Sequence, residues 1–116
     1  MKIVDRVFSC LLILGAIGHT AGSFLGYGSK PEVLLWSLGT SLFLFMLGAI
    51  NFLRAGRPDD RPLGWITLVF NVCWLLSALQ FGHVIGNMSD PRVIGFSIVS
   101  MVLIGMSLRT MTLQKF

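Results

Sequence analysis

The chain has 116 residues, of which 54% are hydrophobic and only 12% charged, with nine basic side chains against five acidic ones and a net charge of +4. So few charges cannot cover the surface of a soluble domain, and the mean hydropathy of +0.81 agrees. The length fits one domain, and the bases form no stripe along a helix face of the kind nucleic acid requires, so an all-α integral membrane protein is left.

In chain order, Lys2 and Arg6 introduce an apolar run over about 3–25. It reads as a first membrane helix rather than a cleaved leader, with Asp5 solvated at its boundary. Gly15, His19, Gly22 and Gly26 recur on one face and mark a packing seam. Ser29-Lys30-Pro31-Glu32 combines capping-box spacing with a first-turn proline and starts a second helix over about 33–53. Its small and polar stripe is Ser37, Ser41, Gly48 and Asn51.

The polar stretch from Arg54 to Pro62 cannot lie in hydrocarbon, because each stranded polar group there would cost several kcal/mol, or about that. It is a water-facing hinge between two apolar halves. Asp60 followed by Arg61-Pro62 caps a third helix over about 63–85, with Cys73, Ser77, Gln80, His83 and Asn87 along one broad face. Trp74 lies deep in it near Asn71, and its indole N–H needs a partner. Asp90-Pro91 repeats the capping device ahead of a fourth helix over about 93–110, which offers Ser97, Ser100 and Ser107. Gly26, Gly28 and Gly56 stand where helices would stop.

The expected fold is therefore a single domain, 1–116, of four antiparallel transmembrane helices. Gly18-His19 echoes Gly82-His83, and Gly48 with Arg54 echoes Gly105 with Arg109, so two pseudo-repeated hairpins are an open reading. Lys2, Arg6, Arg54, Arg57, Arg61, Arg109 and Lys115 fall on one side, and only Lys30 and Arg92 on the other. That bias puts both termini in the cytoplasm of a multi-pass inner (plasma) membrane protein.

His19 and His83 are the only histidines, and histidine within a span draws functional interest. Together they offer axial ligands for a b-type haem, or imidazole for a metal ion. Asn51, Asn71 and Gln80, with His83, offer hydrogen bonds to a small molecule or lipid carried between the helices. Cys10 and Cys73 read as small apolar packing residues rather than a disulfide. No catalytic triad, carboxylate pair or phosphate-binding loop is present, so a non-enzymatic role is expected. The first expectation is an accessory or scaffold subunit of a membrane assembly, or a homo-oligomer, with lipids and other subunits or itself as partners. A cofactor binder and a carrier are the alternatives.

Overall fold

The structure, a computed structural model, describes residues 1–112; Lys115, counted above among the bases, lies outside them. Four helices account for nearly all of it: α1 (Lys2–Tyr27), α2 (Pro31–Ala55), α3 (Arg61–Ile85) and α4 (Pro91–Thr112). At 1.5 Å per residue they are roughly 33–39 Å long, enough to cross a hydrocarbon layer of about 30 Å. All four are also apolar enough to do so. The bundle measures 53 × 24 × 21 Å.

Local chemistry sets the boundaries. Pro31, Pro62 and Pro91 all lie in first helical turns, where a missing N–H costs nothing. Asp60 caps α3 by accepting from the Leu63 N–H at 3.1 Å. The capping box expected before α2 does not form: Lys30 holds the N-cap position and no side chain caps the helix. Helix α1 runs through Gly26 and stops at Gly28. Gly86 ends α3 in the left-handed region, φ 69°, which a residue with a Cβ rarely adopts.

Contacts between neighbouring helices pair low residue numbers with high ones. Between α1 and α2 they run from Ser23 with Ser37 and His19 with Ser41 to Asp5 with Arg54. Between α3 and α4, Thr67 meets Ser107, and a Cβ on Gly82 would meet Val93. Buried positions recur every three or four residues: Ser9, Leu12 and Ala16 on α1; Ser41, Leu44, Leu47, Gly48 and Asn51 on α2. Two glycines permit close approach. A Cβ on Gly48 would lie 3.2 Å from the Ser9 carbonyl oxygen, and one on Gly64 would lie 3.4 Å from that of Ser107.

The interior inverts the pattern of a water-soluble core. Its middle is a plug of Leu12, Ala16, Leu44, Leu47, Trp74 and Leu103, with the Trp74 ring edge-on to Phe96 at 5.2 Å. About half of the buried side chains are polar or charged, while many large aliphatic and aromatic residues point outward, Leu25 at 89% and Trp36 at 72% exposure. Polar inside and apolar outside is what a hydrocarbon solvent selects. Trp65 and Tyr27, near helix ends, are also exposed, as interface anchoring requires.

Several expectations are corrected here. Arg54, expected in the water-facing hinge, lies in α2 and is fully buried. Gly22 and Gly26, expected in the α1 packing seam, are exposed with no neighbour within 4 Å of a Cβ. Asp5 is buried at 6% exposure rather than solvated. Cys10 and Cys73 are exposed rather than packed inside. The third-helix stripe of Cys73, Ser77, Gln80, His83 and Asn87 faces out of the bundle. The buried face of α3 is instead Gly64, Thr67, Asn71, Trp74, Ala78 and Gly82. Gly64, Ala78 and Gly82 let neighbouring helices approach on that face, and Trp74 fills the centre of the plug between them.

Candidate functional site

Asp5 stands in the first turn of α1 and Arg54 in the last turn of α2, each at the helix end whose dipole favours its charge. Packing of α1 on α2 brings the two ends together. Arg54 Nη1 and Nη2 donate to the two Asp5 carboxylate oxygens at 2.8 and 2.7 Å, the forked geometry that makes such pairs strong. Arg54 is fully buried.

A charge pair this deep is favourable only when its remaining hydrogen-bonding capacity is met. Asn51, three residues before Arg54, accepts from Nη2 at 3.1 Å. The Thr110 hydroxyl, on α4, accepts from Nη1 at 3.3 Å. Asn51 and Asn71 then form a reciprocal amide pair between α2 and α3, both bonds 3.0 Å. The second Asn51 N–H bonds the Leu47 carbonyl at 2.9 Å. Asn71 continues to the Ser107 hydroxyl at 3.3 Å, and Ser107 meets Thr67 at 2.8 Å. The spacings that build this chain are i,i+3 on α2 and α4 and i,i+4 on α3, so each of these three helices turns two polar groups inward, and α1 adds Asp5. One network thus touches all four helices. Arg54 Nε alone in it is buried without an acceptor.

Beside the ion pair a cavity of about 560 Å³ opens between the start of α1, the 54–59 segment and the end of α4. Its walls include Lys2, Asp5, Arg54, Asp59, Arg109 and Thr110.

A second polar cluster lies toward the other end of α1 and α2. His19, half-buried, is hydrogen-bonded through Nδ1 to the Ser41 hydroxyl at 2.7 Å. Ser23 donates to the His19 carbonyl at 2.7 Å and also meets the Ser37 hydroxyl. Past it, where the α3–α4 connection enters α4, Arg92 bonds both Asp90 carboxylate oxygens at 2.9 Å and holds that carboxyl at about 2, well below its ordinary 3.8.

Of the residues picked out in the sequence, Asn51 and Asn71 are brought together, and they satisfy each other. His19 and His83 are on α1 and α3, whose backbones do not approach each other closely among the described residues. His83 and Gln80 are exposed on α3, away from the Asn pair. Among the described residues no three of His, Cys, Asp and Glu gather in a group able to hold a metal ion. Sequence reasoning passed over the Asp5–Arg54 pair. Its signal was Arg54 one turn beyond Asn51 on the buried side of α2, in a chain with very few carboxylates to meet it.

Fold and site together define a polytopic α-helical bundle with a polar, internally bonded interior. Compared with protein-family models, with curated proteins and with solved structures, the chain has no significant match.

Proposed function

We propose that this protein is an interaction subunit of the inner (plasma) membrane, both termini cytoplasmic, which joins a larger assembly or a second copy of itself through the outward face of α3. The observation that carries this reading is the exposure of Ser77, Gln80 and His83 on one side of an otherwise apolar span. In a bilayer that side meets lipid, where a primary amide with no partner costs free energy that a neighbouring helix would relieve. The polar groups of the interior, by contrast, are largely occupied with one another, which favours a docking role over a carrier one. The orientation is supported by Lys2, Arg57, Arg61 and Arg109 lying toward one end of the bundle and Lys30 and Arg92 toward the other.

The test is site-specific photocrosslinking from position 80 in native membranes, with position 98 on the exposed face of α4 as reference. Adducts to a membrane protein, or to a second copy, from position 80 and not from 98 are expected. Equal labelling of lipid alone from both positions, together with extraction as a lone monomer, overturns the reading.

A further inference from the structure

We propose that the cavity between the start of α1, the 54–59 segment and the end of α4 is a binding site for a phosphate group, carried by an anionic lipid headgroup or by a soluble phosphate. The volume of about 560 Å³ is in the range of small-ligand sites. Its walls bring together three cationic side chains, Lys2, Arg54 and Arg109, and two carboxylates, Asp5 and Asp59. Asp5 and Arg54 neutralise each other, because both carboxylate oxygens are held by the guanidinium, which leaves Lys2 and Arg109 against Asp59.

Lys2 and Arg109 are different. Both are exposed, and neither has a hydrogen-bond or ion-pair partner among the described residues. They come from the first turn of α1 and the last turn of α4, so the fold itself converges them on one opening. A second observation points the same way. Arg54, on the wall and fully buried, keeps its Nε–H without any acceptor. Leaving a buried charged donor unmet is costly, and an anionic oxygen is the acceptor that best relieves it. A phosphate offers several such oxygens and accepts from guanidinium and ammonium groups at once. The cavity also lies at an end of the bundle, lined by the termini of the apolar helices, and basic pockets between helix ends suit phospholipid phosphates. Met106 and Pro58 add apolar wall against which a glycerol or acyl segment would pack. The site is on a different surface from the α3 face and does not rest on that reading.

The experiment is native mass spectrometry of the full chain released from detergent, titrated with phosphatidylglycerol and, separately, with inorganic phosphate as competitor. One phosphatidylglycerol per chain is expected to be retained. The Lys2→Gln/Arg109→Gln variant should weaken retention at least about tenfold, since each charge-assisted bond contributes on that order. Both substituted residues are exposed and lie outside the buried network, so the fold is kept. Lys30→Gln/Arg92→Gln, at the opposite end, should bind as the unmodified chain does. Lipid retained in millimolar phosphate identifies a headgroup as the source, and displacement by phosphate identifies a soluble one. Equal retention by the Lys2/Arg109 variant, or equal loss in the Lys30/Arg92 control, overturns the proposal.

Discussion

The two ends of this bundle are joined in different ways. At the end that holds Asp5 and Arg54, charge-assisted and amide hydrogen bonds cross between the hairpins, α2 to α3 through Asn51 and Asn71 and α2 to α4 through Arg54 and Thr110. At the other end the hydrogen bonds among His19, Ser23, Ser37 and Ser41 stay inside the α1–α2 hairpin. There α3 and α4 meet by packing, with Gly82 against Val93 and Met88. Between the ends lies the Leu and Trp plug. Lipid supplies no hydrophobic drive between helices, so packing and hydrogen bonds are what remain. The comparison teaches that the hairpins are clamped together at one end and held elsewhere by shape alone.

The largest effect should come from breaking the clamp. Arg54→Ala leaves Asp5 buried and unpaired, and the expected loss of stability is about 3–5 kcal/mol. Replacing both partners, Asp5→Leu with Arg54→Met, should recover much of that loss, because a matched apolar pair strands no charge. Reversible unfolding in mixed micelles measures both. A single substitution costing under about 1 kcal/mol, the scale of an exposed ion pair, would show that the clamp is not one.

Next in size are the glycines. Gly48→Ala places a Cβ 2.5 Å from Ile13 Cγ1 and 3.3 Å from the Ile13 backbone nitrogen, so α1 and α2 must part. A cost of about 1–3 kcal/mol is expected from overpacking. Gly105→Ala meets nothing within 4 Å and should be neutral, or stabilising by up to about 1 kcal/mol through helix propensity. Opposite signs in the same unfolding assay are the result to look for. At the far end, Ser41→Ala removes one hydrogen bond from His19, and about 0.6 kcal/mol is the usual value between membrane helices. A loss there as large as at Arg54 would erase the difference between the ends.

How much of this was legible in the sequence depends on which signal carried it. The spans were plain, because twenty apolar residues bounded by proline and acid have few other solutions. The stripes of α2 and α4 were legible because small residue and polar residue coincide there, as at Ser41, Gly48, Asn51, Ser100 and Ser107. On α3 the two signals part: Gly64, Ala78 and Gly82 are small but not polar, while Gln80 and His83 are polar but not small. The buried face follows the glycines and Ala78, with Trp74 in the central plug. Asp5 was misplaced for a similar reason. Its partner lies 49 residues away, and neighbouring Arg6 instead sits 5.1 Å over the Phe52 ring. No local spacing announces a pair that only the packing of α1 on α2 creates.

The smallest effect belongs to the exposed α3–α4 connection. Arg92 holds the Asp90 carboxyl at about 2 against its ordinary 3.8, chiefly through their side-chain hydrogen bond. A carboxyl lowered in the folded state contributes stability above its unfolded value and loses it as pH falls. The window is therefore pH 3.8 down to about 2. Because Asp90 and Arg92 face water, screening keeps the contribution slight, and the midpoint rather than the stability is the quantity to follow. Carbon-detected NMR of the Asp90 carboxyl should give a midpoint near 2 in the unmodified chain. In Arg92→Ala it should return toward 3.8. An Asp90 midpoint that stays low without Arg92 would shift the cause to the helix start itself, where backbone N–H groups and the α4 dipole also favour a carboxylate.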